Sequence, residues 1–418
     1  MTMTTDLTHK RASNPIPPDA PRAAKQVFKL LQRMSHGRLS ITLPDRTQLH
    51  YGAATGTHAY ISLNNWHMFS AALKSGDIGF AETYIAGDWH TSNLTQLLQV
   101  LILNRTALED AIYGNWLGRL FYQARHWMRR NTQTNSRKNI HAHYDLGNDF
   151  YQLWLDPSMN YSSALFEHAD QSLTHAQHAK VKRSLQMAGV EQGSRVLEIG
   201  CGWGALAEMA THVFGADVVG LTLSQEQLDW AQKRLDATPN ASRADLRLQD
   251  YRSPDVTRNQ HGEHQLFDAV CSIEMIEAVG QAYWPTYFQT IAASLRPGGK
   301  ACIQAIVIGD DLFDRYIQGT DFIQQYVFPG GCLPSPSKFK EQAIAAGLVV
   351  EDSFAFGLDY ATTLALWRTD FLAQESAVRE LKFDTAFIRT WEFYLCYCEA
   401  AFLEGNTDVM QFTLRKPH

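Results

Sequence analysis

The sequence predicts a doubly wound, mostly parallel α/β sheet preceded by a small α+β domain. Three observations carry that expectation. From about residue 165, apolar strand-like runs alternate with amphipathic helical stretches, which is how parallel strands joined by crossover helices read. The first of those runs ends in closely spaced glycines. Residues 25–105 follow a different pattern, of short strands, short helices and a glycine- and aromatic-rich stretch.

In chain order, 1–24 is polar, carries prolines at 15, 17, 18 and 21 and no apolar signal-like core, and is expected to be a flexible tail. Ala24–Met34 reads as a helix, Gly37–Tyr51 as strand-like segments, and about 92–104 as an amphipathic helix after GDIGFAETYIAGDWH at 76–90. Residues 106–140 are expected to form a basic amphipathic helical linker, and 141–418 the catalytic domain. Within the latter the pattern predicts helices at 173–188, 204–213, 224–236 and 284–294. Strands are expected at 195–200, 217–221, 244–248, 267–272 and 299–307. Residues 310–334 read as an insertion whose Phe313, Tyr316, Phe322, Tyr326 and Phe328 suit a lid or a tunnel for an apolar chain.

Composition narrows the function. The 418 residues are 45% hydrophobic and 19% charged, a globular balance, and a net charge of −6 supplies no global basic field for nucleic acid. Six scattered cysteines without a C-x-x-C pair suggest reduced thiols and no structural metal. No stretch reaches the roughly 18 apolar residues needed to cross a bilayer. Residues 111–144 hold six Lys and Arg and no Asp or Glu; removing these six charges from −6 leaves −12 elsewhere. Tyr113, Trp116, Leu117, Leu120, Phe121, Ala124, Trp127 and Met128 share one helical face there. Two readings stay open: a helix packed on its own domain with a solvated basic face, or one that meets an anionic lipid surface.

The strongest local signal is Val196-Leu197-Glu198-Ile199-Gly200-Cys201-Gly202-Trp203-Gly204. Glycines at 200, 202 and 204 let a ligand approach the backbone without a Cβ in the way. The G-x-G-x-G spacing differs from the G-x-G-x-x-G of dinucleotide binders. With Glu198 two residues before the first glycine, it suits S-adenosylmethionine, whose amino group and sulfonium are cationic. Thr222, Ser224 and Gln227 leave the second strand, where ribose hydroxyls would sit. Asp250 and Tyr251 leave the third, where Asp250 could accept the adenine amine. These polar clusters are equally readable as helix caps or turns.

These residues sit in a longer series: Tyr144–Tyr151 (YDLGNDFY), Met159–Ser163 (MNYSS), LEIGCGWG, GLTLSQEQ, Met275–Gly280 (MIEAVG), Tyr326–Gly331 (YVFPGG) and Phe356–Tyr360 (FGLDY). The chain from about Asn139 onward resembles the cyclopropane-fatty-acid and mycolic-acid cyclopropane synthase family of S-adenosylmethionine-dependent transferases. Residues 25–105 resemble the N-terminal domain of its longer phospholipid-modifying members. The resemblance implies a class I methyltransferase fold and methyl transfer to the double bond of an unsaturated acyl chain of a phospholipid. A carbocation follows, and its loss of a proton closes a cyclopropane ring; C-methylation to a methylene branch is the alternative outcome. It further implies Glu277 as base, with Glu274, one helical turn earlier, sharing its face. Tyr144, Tyr161, Ser162 and Ser272 would join the cofactor site. Tyr161, Tyr360, Phe328, Tyr326 and Trp367 would offer π faces to the cation.

Two departures from the family pattern bear on the outcome. Ring-forming members hold a bicarbonate-like anion with a cysteine, a histidine, a tyrosine and the glutamate. Here the first two positions are Ser163 and Gln304, so Glu277 and Tyr360 alone match and a bound bicarbonate is poorly provided for. EMIEAVG with Gln304 resembles the methylene-forming branch, where a carboxylate can act directly as base. The family further implies a cytoplasmic enzyme held peripherally on the inner face of the cell membrane, with a homodimer among the assemblies it allows. A soluble methyltransferase of small metabolites and a scaffold with a vestigial cofactor fold are the competing readings.

Overall fold

The computed structural model describes residues 16–108, 146–259 and 261–418. The chain divides between Gly118 and Arg119 into two units, each with its own sheet.

In the first unit, helix α1 (Arg22–Leu31) precedes strands β1 (Arg38–Thr42), β2 (Gln48–Gly52) and β3 (His58–Leu63). Helices α2 (His67–Ser75) and α3 (Asp77–Ile85), strand β4 (Trp89–His90) and helix α4 (Leu94–Leu103) follow. The sheet order is β2-β1-β3-β4, with β1 and β3 parallel. Leu39 and Ile41 of β1 and Ala59, Ile61 and Leu63 of β3 alternate inward, while Phe28 packs edge-on against Phe69. The expected flexible tail to residue 24 ends too late: α1 begins at Arg22, and Ala20 and Ala24 are buried. The glycine-rich stretch at 76–90 is mostly helix α3, whose Gly79 lies tight against the Ala71 backbone, a close approach that leaves no room for a Cβ. The basic segment 111–144 lies outside the described residues, as does nearly all of the expected linker 106–140.

The second unit carries a seven-stranded sheet in the order β10-β11-β9-β8-β5-β6-β7. Strands β5 (Arg195–Ile199), β6 (Asp217–Thr222), β7 (Ala244–Leu248), β8 (Phe267–Ile273) and β9 (Leu295–Ile308) run parallel. Strands β10 (Val349–Ala355) and β11 (Thr407–Arg415) complete the sheet antiparallel, with β11 between β9 and β10. Helices lie on both faces, so the central strands read as unbroken apolar runs: Val196, Leu197 and Ile199 are all buried. The doubly wound, mostly parallel class is as expected. The antiparallel pair at the edge is additional, because TDVMQFTLR is too polar to read as a buried strand.

Between β9 and β10, residues 310–334 form helix α5 (Asp310–Tyr316) and a π-helical turn (Ile323–Val327). Helices α6 (Gly357–Ala373) and α7 (Thr385–Leu403) pack together between β10 and β11; Asp384 caps the latter by accepting from Phe387 N–H at 2.8 Å.

Candidate active site

β5 ends at Ile199 and the chain turns through Gly200, Gly202 and Gly204, all with positive φ. A Cβ added at Gly202 would meet nothing within 4 Å, so the turn is open at its middle glycine, while at Gly200 and Gly204 a Cβ would press on Met275 and Ala231. Glu198, the inward residue before this turn, is buried. Its carboxyl is pushed up to about 8, by burial first, with the Ala207 N–H and Lys180 pulling it down. Its Oε2 has no hydrogen-bond partner. An unpaired carboxyl oxygen beside an open glycine turn fits the cationic end of S-adenosylmethionine.

Around this turn the expected polar residues bond one another. Thr222 Oγ1 donates to Gln227 Oε1 at 3.1 Å and accepts from Ser224 N–H, while Ser224 caps the following helix. Asp250 is clamped by Arg252 at 2.6 Å and shapes the turn. Tyr251 and Ser272 serve the sheet: the Tyr251 ring packs edge-on against Tyr287, and the Ser272 hydroxyl donates to the Ile199 carbonyl. Tyr144 lies outside the described residues. Ser162 accepts from Lys180 Nζ at 2.5 Å.

Lys180 was not legible as a site residue. It is fully buried on the helix Leu173–Met187, beside Ala176 and Ser184, and burial lowers its amine to about 8 against the pull of Glu274, Asp156 and Glu198. Its only sequence signal is a lysine on the small-residue face of that helix.

Beyond the carboxyl ends of β8 and β9 lies a cavity lined largely by apolar and aromatic side chains, among them Phe328, Leu364, Tyr394 and Phe402. Glu274 and Glu277 both reach its wall. They do not share a helical face as expected. Glu274 follows β8 in a left-handed conformation (φ 49°), and Glu277 sits in the 3-10 turn Ile276–Ala278.

Glu274 is held on three sides. Its Oε1 accepts from the Ser163 backbone N–H (2.9 Å) and Gln304 Nε2 (2.8 Å), and its Oε2 accepts from the Tyr360 hydroxyl (2.7 Å). The Ser163 hydroxyl, expected to serve the anion, is instead given to the Ala164 carbonyl. Burial raises the Glu274 carboxyl above the ordinary range; Lys180, Tyr360, Ser163 and Gln304 oppose this. Glu277 Oε1 accepts from Ile306 N–H, and its Oε2 has no partner. Burial, and then the Glu274 charge, push Glu277 up to about 8, so Glu277 is mostly protonated at pH 7.

Of the expected aromatics, Tyr161, Tyr360 and Phe328 line the cavity, with the Tyr161 and Tyr394 hydroxyls 2.8 Å apart. Tyr326 is exposed and stacks on Phe322, and Trp367 is buried behind Tyr161. From the insertion, Tyr316 and Phe328 face the cavity, whereas Phe313 packs near Trp284 and Phe322 against Phe393. Cys332 and Cys398 also line the cavity, both raised by burial and both free thiols.

Residues 131–412 match the family described as mycolic acid cyclopropane synthetase. The chain belongs to that family. It is 39% identical over 362 residues to a tuberculostearic acid methyltransferase of Mycobacterium tuberculosis, covering 82% of this chain and 79% of the relative. It is 34% identical over 358 residues to a cyclopropane-fatty-acyl-phospholipid synthase of Escherichia coli, covering 84% and 87%. A solved mycolic acid cyclopropane synthase complexed with SAH and CTAB matches 67% of this chain and 98% of its own, at 31% identity and a TM-score of 0.61. The chain is therefore an S-adenosylmethionine-dependent methyltransferase of the cyclopropane synthase type, and it modifies unsaturated lipid chains. Among the described residues no helix is long and apolar enough to cross a membrane.

Proposed function

We propose that the chain methylates the double bond of an unsaturated acyl chain carried on a phospholipid, and that Glu274 takes the proton that leaves. The observation that carries this reading is a carboxylate fixed by three donors on the wall of an otherwise apolar cavity. Bound S-adenosylmethionine supplies the methyl cation. Glu198, with Gly200, Gly202 and Gly204, would hold that donor. Thr222 ends β6, Ser224 and Gln227 follow it and Asp250 follows β7, while Tyr161 lines the cavity and Ser162 bonds Lys180.

The alkene's π electrons bond to the methyl carbon, which leaves a cation on the neighbouring carbon. Tyr161, Tyr360 and Phe328 line the cavity where that charge develops, within reach of stabilising it through their π systems. Glu277, pushed up to about 8, adds little negative charge of its own at pH 7. Loss of a methyl proton to Glu274 closes a ring if it comes at once. If a hydride first shifts to the neighbouring cation, the charge moves to the methyl-bearing carbon, and the same loss gives an exocyclic methylene. We favour the methylene branch: the donors that could hold a free bicarbonate are already taken by Glu274, and the relative named as a tuberculostearic acid methyltransferase is 39% identical.

The phospholipid and the inner membrane face as place of action rest on the basic, aromatic sequence at 111–144 and on the Escherichia coli relative's name. Purified enzyme, S-adenosylmethionine and vesicles of dioleoyl phospholipid should give an acyl chain larger by one CH2, with exocyclic methylene protons in its NMR spectrum. High-field ring protons would assign ring closure instead. An unchanged acyl mass would refute lipid methylation.

A further inference from the structure

Gln304 and Gln411 are directly opposite in the β9–β11 pairing, and both are fully buried. Arg183 Nη1 donates to Gln411 Oε1 at 2.6 Å. Gln411 Nε2 donates to the Lys180 carbonyl (3.2 Å) and to Gln304 Oε1 (3.0 Å), and Gln304 Nε2 donates to Glu274 Oε1 (2.8 Å). Every amide orientation here is forced from outside. A guanidinium can only donate, so Gln411 must turn its oxygen to Arg183; a peptide carbonyl can only accept, so the Gln411 NH2 must face Lys180 and Gln304. Gln304 is then left one choice, its NH2 toward the carboxylate. We infer that Arg183 and Gln411 are positioning residues for the base: through two aligned amide dipoles they lock Gln304 as a donor and keep Glu274 ionised.

Neither residue lines the cavity or the glycine turn. Arg183 is anchored from outside by Asp352 (3.2 Å) and by the Phe354 ring, 4.1 Å from its guanidinium carbon. Around Glu274 the other titratable groups are Tyr360, Lys180 and Glu277; beside the Gln411 amide stands the Cys302 thiol. The histidine-like position filled by Gln304 thus has no proton of its own to gain or lose, and its polarity is set one strand away.

The inference rests on Glu274 being the base, and the test separates the two. Full-length enzyme is assayed with S-adenosylmethionine and dioleoyl phospholipid vesicles across pH 5.5–9. Arg183→Met should move the acid limb of the kcat profile up by about one pH unit, a loss approaching roughly tenfold on the acid side of that limb. KM, melting temperature and calorimetric cofactor affinity should hold, and Arg183→Lys should restore most of the rate. If Arg183→Met does not fold, Gln411→Glu decides by the same readout: it satisfies Arg183 but gives Gln304 only an acceptor, so Gln304 must turn its oxygen on Glu274, and turnover should fall roughly a hundredfold. An unshifted limb in folded Arg183→Met, or wild-type turnover in Gln411→Glu, overturns the relay. Wild-type turnover in Glu274→Gln would instead overturn the base beneath it.

Discussion

Two stretches of the large sheet, β5–β6 and β8–β9–β11, do different kinds of chemistry. At β5 and β6 the backbone does the work: the positive-φ turn leaves open space at Gly202, and one carboxyl oxygen of Glu198 is unpaired. At β8, β9 and β11 the side chains do it: Glu274, Gln304 and Gln411 lock one another across three strands. A cradle for a large ligand must be vacant before the ligand arrives. A base must be held in advance, because aligning it during turnover would add to the barrier.

Substitutions sharpen that contrast. The largest effect is expected at Glu274→Gln, which should cost roughly a thousandfold in kcat at unchanged cofactor affinity, read by calorimetry. Parallel loss of affinity would mean the two ends are not separable. Gly202→Val should do the reverse, weakening S-adenosylmethionine by at least roughly tenfold, or about 1.4 kcal/mol, through a side chain placed in the open turn. If affinity survives, the cofactor does not approach that turn.

Titration gives smaller effects of opposite sign. With Glu274 as the proposed base, activity should rise with pH from above the ordinary carboxylate range. Glu277 and Glu198 are raised from 4.5 to about 8, so the folded chain holds their protons more tightly than the unfolded one. Their contribution to stability is full below about 4.5 and lost as pH rises through about 8. Melting temperature should therefore fall between pH 5.5 and 8 while activity climbs, and Glu277→Gln should flatten the stability trend. Smallest in amplitude is proton linkage at Glu198: a bound cation favours its ionised form. Cofactor binding near pH 7 should release about one proton, measured by calorimetry in buffers of different ionisation enthalpy. Zero release would move Glu198 away from the donor's charge.

Much of the parallel half was legible because its signals are local. A strand, a glycine turn and a capped helix announce themselves within ten residues, and the observed β7 and the helix Trp284–Ser294 coincide with their expected limits. The base pocket was legible only through the family resemblance. Glu277 was implied by the family resemblance and Glu274 as its neighbour on a helix, but a left-handed residue and a 3-10 turn bring the two to the cavity. Gln411 carries no local signal: its meaning comes from standing opposite Gln304, more than a hundred residues away, and strand register between distant segments is not written in either one. Lys180 escaped for a similar reason, since a lysine at a helical position reads as solvated until the helix is placed against the sheet.

Glu274 ties its carboxylate to the main chain through a left-handed residue, a conformation that costs a side-chain-bearing residue about 1–2 kcal/mol. That strain has a physiological corollary. A catalyst that carries its anion as part of its own covalent structure is never short of it, so its rate should be indifferent to dissolved carbon dioxide. Glu274→Gly should relax the turn, silence the enzyme, and leave a vacancy that formate or carbonate from the buffer can fill.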